Sequence, residues 1–157
     1  LSLNPDTRLP AGALEAMWRH VETDPSIGVL GPRLNHADGA LQRSCWRGFP
    51  GLTMALSDAL YLWKIPQLPL ARRSELQTER LTAPIEVDHL LGACLLIRRE
   101  TWEQVGGLDE RFFLFLEETD WCYRAKQAGW RVVYNPNVSI THLGEHIVNQ
   151  NSYRNWP

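Results

Sequence analysis

The sequence predicts an α/β fold, and two observations carry that prediction. Short apolar segments of strand length alternate with segments whose apolar residues repeat at helical spacing, and clusters of glycine, proline, asparagine and aspartate separate them. With 157 residues and 44% hydrophobic content, the chain suits one globular domain with a core and is too short for two ordinary ones. We therefore expect residues 1–157 to form a single domain.

The first predicted elements are a strand, a turn and a helix. Residues 1–3 resemble the end of a buried strand, and the turn Asn4-Pro5-Asp6 ends it because proline lacks the N–H that a β-ladder needs. Pro10 suits the first turn of a helix. The predicted apolar face of that helix consists of Leu14, Met17, Trp18 and Val21.

The middle of the chain is predicted to continue this alternation. Residues 27–34 have the composition of a short buried strand, and residues 39–46 can form a second strand after a turn. Apolar residues at helical spacing predict a helix over residues 51–63. Residues 64–84 contain three prolines and three arginines, which predict a long loop.

The C-terminal half is predicted to alternate strands and helices again. Residues 85–99 predict a strand that breaks at Gly92, and residues 100–107 predict a short helix closed by glycines. After a turn, the strongest helical pattern covers residues 116–127. The last predicted elements are two short strands, 130–136 and 138–144.

Composition and charge argue against several classes of function. A formal net charge of -2 gives no basic field that would attract nucleic acid or an anionic membrane. The longest apolar run, residues 90–97, is far shorter than the about 20 residues that a membrane-spanning helix needs. Three cysteines without metal-binding spacing predict reduced, partly buried thiols in a cytoplasmic protein.

Three carboxylates lie in the first turn of the predicted helix 116–127, surrounded by aromatic residues. Glu117 and Glu118 point in different directions, whereas Asp120 shares the face of Glu117 and can also reach Arg124. Acids in a first turn commonly serve only to stabilise the helix dipole. The alternative is that one of them is a general base, since apolar neighbours and a nearby like charge both raise the pKa of a carboxylate.

A hydrolytic pair of carboxylates fits this cluster less well than a single base. Glycosidase carboxylates face each other across a bond, about 5 to 9.5 Å apart, whereas neighbouring acids on one turn diverge. Asp6, in a turn at a strand end, and His142, after a short strand, are candidate ligands of a divalent cation. Each residue taken alone is more commonly a turn former or a packed side chain.

The order of the motifs adds a resemblance to a known family. "LNPDT" near the start precedes an ungapped segment, 92–144, that contains a Gly-Ala strand, "GGLDE", an acidic pair with a following aspartate, and a strand that ends in histidine. In this order they resemble the inverting nucleotide-sugar glycosyltransferases of family two, and among these the bacterial rhamnosyltransferase-like branch. Residues 35–85 carry little of the resemblance.

The resemblance implies a partial GT-A fold, a Rossmann-like α/β domain with a mixed sheet, and a set of metal ligands. The Asp-x-Asp motif of the family corresponds to Asn4-Pro5-Asp6, so that only the second acid is present. Asp6 and His142 would hold Mg²⁺ or Mn²⁺ against the diphosphate of a nucleotide-sugar donor.

The same resemblance implies roles for the acidic cluster. The acidic pair of the family falls on Glu117-Glu118, and its second member would be the catalytic base. Here that residue is Glu118 where the family has aspartate, and Asp120 is the alternative. The acceptor-binding residues implied are Asp109, Glu110, Trp121 and Gly92.

The implied activity is sugar transfer with inversion by a longer parent protein. The donor would be a nucleotide-diphosphate sugar, with rhamnose by analogy, and the acceptor a hydroxyl of a glycan or a lipid-linked glycan in cell-surface polysaccharide synthesis. The family's N-terminal nucleotide-binding half has no counterpart here, so we expect the isolated chain to be inactive. The alternative is a non-catalytic fragment that binds a glycan or a protein.

The expected setting is the cytoplasm, with peripheral association at the inner face of the membrane and with the oligomeric state left open. Nucleic acid is not an expected partner. For the site, we expect Asp6, Glu118 and His142 to converge on one cleft, because each lies at a strand end or a helix start.

Overall fold

The computed structural model has an α/β fold, in agreement with the sequence. It describes residues 1–42, 45–49, 51, 78, 80–112 and 116–143. The predicted helix over residues 51–63 lies outside the described residues except for its first position. Most of the predicted loop over residues 64–84 lies outside them as well, so that loop stays a prediction.

Eight strands and three helices make up the described part of the chain. The strands are β1 (Ser2–Leu3), β2 (Thr7–Arg8), β3 (Ile27–Asn35), β4 (Trp46–Arg47), β5 (Ile85–Glu86), β6 (His89–Leu90), β7 (Cys94–Ile97) and β8 (Arg131–His142). The helices are α1 (Ala13–Glu22), α2 (Arg99–Val105) and α3 (Glu117–Gln127).

Six of these strands form one mixed sheet. Its order is β1-β7-β3-β8-β2, with β5 paired to β8, and only β3 and β8 run parallel. The central strand β3 is buried at nearly every position, as expected for a strand covered on both faces. β4 and β6 form a separate two-stranded antiparallel sheet.

The prediction of two strands over residues 130–136 and 138–144 is wrong, because β8 is one strand with an irregularity. Its pairing with β3 shifts where Pro32 opposes Asn135 and the next residue, Arg33, opposes Ser139. Within the shift, the Asn135 side chain accepts a hydrogen bond from the Asn137 backbone N–H at 3.0 Å. The proline between those two asparagines therefore lies in a bulge and does not end the strand.

Three further strand predictions need correction. Residues 1–3 form an edge strand and not a buried one, since Leu1 and Leu3 are 54% and 42% exposed. The predicted strand over residues 39–46 is reduced, among its described residues, to a bridge at Leu41 and the start of β4. Residues 85–99 break at Gly92 as predicted, but they also break before β6, so they contain three short strands and the start of α2.

Helix α1 packs against the sheet with a narrower face than predicted. Met17 and Val21 are buried as expected, whereas Leu14 and Trp18 are 45% and 54% exposed. The third buried residue of the helix is Ala13. Met17 and Val21 lie one turn apart on the face that meets β3 and β8, and this spacing of four residues fixes the orientation of the helix.

Helices α2 and α3 agree with the sequence prediction. A glycine ends each of them with positive φ, 82° at Gly106 and 89° at Gly129, a conformation that glycine adopts without strain. Helix α3 buries Trp121, Cys122 and Ala125 in the core. In the part of the chain that the structure describes, no helix combines the length and the apolar character needed to cross a bilayer.

The three cysteines are free and buried, as the sequence predicts. Burial raises the pKa of the Cys94 thiol to about 11 and that of the Cys122 thiol to about 12. Because the thiolate is the reactive form, these cysteines are inert core residues.

Candidate active site

The turn between β1 and β2 brings Asp6 against the end of β8. The backbone N–H of Asn4 donates to the carbonyl of Ala93 at 3.0 Å, which ties the turn to the segment before β7. On the other side, β2 pairs with β8 so that Thr7 opposes His142. The backbone N–H of Leu143 donates to the Asp6 carbonyl at 2.9 Å. Asp6 and His142 are therefore neighbours although 136 positions apart.

The side chains of Asp6 and His142 form a pair that could share a cation. His142 Nε2 lies 3.5 Å from Asp6 Oδ1, and His142 is only 7% exposed. Among the described residues, Asp6 Oδ1 is buried and has no hydrogen-bond partner. An ion whose ligands lie about 2.1 Å away fits between two such atoms.

This pair could supply only part of a coordination shell. The described residues contain no group of three histidine, cysteine or acidic side chains able to hold a metal ion. Mg²⁺ is commonly bound by one or two protein ligands together with phosphate oxygens and water. A carboxylate and an imidazole beside a diphosphate would suit that mode of binding.

Glu117 and Glu118 begin α3 at the wall of an open groove with a volume of about 1180 Å³. Asn4 and Gly92 also line this groove. Because Asn4 lines the groove while Asp6 contacts His142, the turn between β1 and β2 connects the acidic pair with the candidate metal ligands.

Burial raises the pKa of Glu118 above its ordinary value. Burial of its carboxylate is the main cause and the charge of Glu117 adds to it, while a hydrogen bond from the backbone N–H of Glu118 and the charge of Arg47 oppose the shift. Glu117 Oε2 is itself buried, without a hydrogen-bond partner among the described residues. A carboxylate with a raised pKa takes up a proton more readily, which suits a general base.

Asp120, the alternative base, is engaged elsewhere. Its carboxylate accepts a hydrogen bond from Arg124 Nε at 2.8 Å. The same guanidinium donates to the carbonyls of Val105 and Gly107, at 2.8 and 2.9 Å. Asp120 therefore helps to hold the end of α2 against α3 and has less freedom to meet a substrate.

The predicted acceptor-binding residues occupy different environments. Asp109 forms an ion pair with Arg111 at 2.6 Å, and hydrogen bonds from Arg111 lower the pKa of Asp109 to about 2. Glu110, next to it, is exposed. Trp121 is fully buried, and its Nε1 donates to the Gly106 carbonyl at 2.8 Å. Trp121 therefore supports the turn before Asp109 and does not form an exposed wall of the groove.

Gly92 lies directly against Glu118. A Cβ at Gly92 would lie 3.5, 3.6 and 3.9 Å from the Cβ, Cγ and Cδ of Glu118. These are ordinary contact distances, so the absence of a side chain keeps one side of the glutamate open to the groove.

Sequence reasoning missed two residues near the site. Arg47 lies on β4, which pairs with β6 across a sequence separation of more than 40 residues, and its charge acts on Glu118. Gln42 Oε1 lies 2.9 Å from His142 Nδ1, 100 positions away. Both contacts depend on long-range pairing, and no local sequence signal indicates them.

Comparison with known proteins shows the family to which the chain belongs. The chain belongs to the family described as glycosyltransferase like family 2, whose model matches residues 12–153. Glu118 and His142 lie inside that range, and Asp6 lies before it. The resemblance based on the motif order is therefore confirmed, and a partial GT-A domain agrees with the mixed α/β sheet.

Three curated relatives illustrate the similarity. The chain is 34% identical over 145 residues to the N-acetylglucosaminyl-diphospho-decaprenol L-rhamnosyltransferase of Mycobacterium tuberculosis, with 91% of this chain and 46% of that protein covered. It is 46% identical over 150 residues to a low-salt glycan biosynthesis hexosyltransferase of Haloferax volcanii, with 96% and 42% covered. A 28% identity over 74 residues links it to rhamnosyltransferase WbbL of Escherichia coli, with 47% and 28% covered. The chain spans less than half the length of these relatives.

Proposed function

We propose that the whole protein carrying this chain transfers a sugar from a nucleotide-diphosphate donor to a hydroxyl acceptor, with inversion at the anomeric carbon. Membership of glycosyltransferase like family 2 supports the class of reaction. The observation that carries the mechanism is the position of Glu118, which lines the groove beside Glu117 with a raised pKa while Asp120 is bound to Arg124.

Glu118 is the proposed general base. Its carboxylate takes the proton of the acceptor hydroxyl while the oxygen attacks the anomeric carbon, and the bond from that carbon to the donor diphosphate breaks. Attack on the face opposite the leaving group inverts the configuration. Glu117 keeps a second negative charge nearby, which makes Glu118 a better proton acceptor than an isolated glutamate.

Asp6 and His142 are the proposed protein ligands of Mg²⁺ or Mn²⁺. When bound, the ion would offset the charge of the diphosphate leaving group. The unpartnered Oδ1 of Asp6 and the adjacent Nε2 of His142 supply the two donor atoms. Asn4 carries an amide where the family has an acid. We therefore propose that Asn4 lines the groove and does not bind the ion.

Asp109, Glu110, Gly92 and Trp121 are proposed for the acceptor side. Gly92 leaves room beside Glu118 for the reacting hydroxyl. Arg111 holds the Asp109 carboxylate in the turn after α2, while the hydrogen bond from Trp121 to the Gly106 carbonyl fixes the start of that turn. Glu110 is exposed in the same turn.

The names of the relatives suggest the finer assignments. Two of them are rhamnosyltransferases, which supports rhamnose as the sugar. The mycobacterial relative is named for a diphospho-decaprenol acceptor, which supports a lipid-linked glycan as the acceptor here. A lipid-linked acceptor would bring the protein to the cytoplasmic face of the membrane as a peripheral protein.

A donor screen on the whole protein tests this proposal. Nucleotide sugars would be offered with Mn²⁺ or Mg²⁺ and a lipid-linked N-acetylglucosaminyl diphosphate, and the product's anomeric configuration would be read by NMR. Transfer with inversion is the expected result. Retention of configuration, or an absence of transfer with every donor, would remove the proposal.

A further inference from the structure

His142 can present Nε2 to a cation only if its other ring nitrogen carries the proton. Nδ1 lies 2.9 Å from Gln42 Oε1. Because an amide oxygen only accepts hydrogen bonds, this contact requires Nδ1–H. In the neutral ring Nε2 then carries the lone pair, and Nε2 lies 3.5 Å from Asp6 Oδ1. A cation bound between these two acceptor atoms would offset their mutual repulsion.

We propose that Gln42 is a positioning residue for the metal site, which selects the Nδ1–H form of His142 and aims Nε2 at the ion that Asp6 shares. This inference rests on the metal site of the proposed function. Acceptors behind a ligating histidine orient the ring and raise its basicity, and their loss typically weakens metal binding about 10- to 100-fold.

Gln42 is itself held in place by the core. Its backbone N–H donates to the carbonyl of Leu34 at 2.8 Å. Its own carbonyl accepts a hydrogen bond from the buried thiol of Cys45 at 2.8 Å, and Cys45 Sγ in turn accepts from the Leu34 N–H at 3.3 Å. The amide therefore extends toward His142 from a fixed backbone, as a positioning residue requires.

Two measurements on the whole protein test this inference. NMR of ¹⁵N-labelled histidine at pH 8 identifies the protonated nitrogen of His142, and the signal is assigned from its loss in His142→Gln. Loss of the free Mn²⁺ signal in electron paramagnetic resonance gives the affinity for Mn²⁺ alone.

The variants separate an orienting acceptor from simple packing. Gln42→Leu should populate the Nε2–H form and weaken Mn²⁺ binding about 10- to 100-fold. Gln42→Glu keeps an acceptor and should retain both the Nδ1–H form and the affinity. Gln104→Leu is the matched control, because Gln104 Oε1 also accepts a ring N–H, from Trp130 at 2.8 Å, and it should change neither readout.

The outcomes distinguish the two proposals. If Asp6→Asn and His142→Gln leave Mn²⁺ affinity unchanged, the metal site is wrong and the positioning role of Gln42 falls with it. If those two variants lose Mn²⁺ but Gln42→Leu changes neither the protonated nitrogen nor the affinity, only the inference about Gln42 is overturned. An Nε2–H form in the unmodified protein would overturn it as well.

Discussion

Carboxylates of similar chemistry acquire different roles in this molecule because of their neighbours. Glu118 and Asp120 are two residues apart, yet Asp120 forms an ion pair with Arg124 at 2.8 Å, while Glu118 lines a groove beside another acid. Asp109, with its pKa lowered to about 2 by Arg111, is a poor proton acceptor. The distinction between base and structural acid therefore lies in the partner of each residue and not in its type.

The first prediction concerns Glu118→Gln, which keeps the shape of the side chain and removes the carboxylate proposed to act as the base. Turnover of the whole protein should fall about 10²- to 10⁴-fold, the usual contribution of general base catalysis. Donor binding, measured by titration calorimetry, should change little. Asp120→Asn is the control, and should mainly lower stability through the loss of its ion pair with Arg124. Should Asp120→Asn abolish turnover while Glu118→Gln preserves it, the base is Asp120.

The second prediction concerns Gly92→Ala and the pH dependence. The base acts in its ionised form, so kcat/KM falls as the pH drops below the pKa of Glu118, which burial raises. A methyl group 3.5 to 3.9 Å from the Glu118 side chain excludes more water and disfavours the charge. The acid limb of the pH–rate profile should therefore move to higher pH.

Gly107→Ala is a matched control for that shift. A Cβ at Gly107 would meet the Trp102 ring at 3.6 Å, a comparable contact that does not involve Glu118. The acid limb of the pH–rate profile of Gly107→Ala should lie at the same pH as that of the unmodified protein. A Gly92→Ala limb that stays in place or moves to lower pH would contradict the assignment of that limb to a desolvated Glu118.

At the scale of elements, one arginine joins the end of α1 to the starts of β3 and α2. Arg98 immediately precedes α2, and its guanidinium donates to the carbonyls of Val21 and Ile27 at 2.6 and 2.9 Å. Carbonyls at the end of a helix have no partner within the helix. Arg98 donates a hydrogen bond to the Val21 carbonyl at the end of α1, and this contact helps to fix the position of α1 on the sheet.

The third prediction concerns Arg98→Met, which keeps about the length of the aliphatic stem but removes the guanidinium donors. Hydrogen bonds from charged groups contribute about 1.5 to 3 kcal/mol, so the free energy of unfolding in urea should fall by about that amount. Arg99→Met is the control, because Arg99 is exposed and should change stability by less than about 0.5 kcal/mol. Equal effects of the two substitutions would rule out the capping role of Arg98.

At the scale of the whole molecule, local sequence rules predicted the elements and missed their pairing. Periodicity and glycine caps predicted α2 and α3, because those signals lie within the elements themselves. The proline at position 136 suggested a break between two strands. In the structure it lies in a bulge of β8, which continues to pair with β3 on both sides of the bulge. The pairing of β4 with β6 and the contact of Gln42 with His142 depend on distant segments, which no local pattern encodes.

The candidate site, too, was predicted from local signals, while its assembly depends on the pairing of distant segments. The sequence predicted Asp6 and His142 as candidate metal ligands. The pairing of β2 with β8 places His142 Nε2 3.5 Å from Asp6 Oδ1. Asn4 and Gly92 line the groove beside Glu118, whereas Asp6 and His142 are not among the residues that line it. Their convergence on a single cleft therefore stays a prediction for the whole protein.

The last prediction concerns the isolated chain of 157 residues. The relatives are more than twice as long as the region that they share with it, and transfer requires the donor to be held in line with the acceptor oxygen. Such positioning can supply about 7 to 11 kcal/mol of the barrier reduction. The proposed base Glu118 and the proposed ligands Asp6 and His142 do not by themselves bind the nucleotide of the donor. The whole protein should therefore transfer sugar with Mn²⁺ or Mg²⁺ under conditions in which the purified chain, verified as folded by circular dichroism, gives no detectable product. Turnover by the folded chain within about tenfold of the whole protein would mean that the described groove positions donor and acceptor unaided.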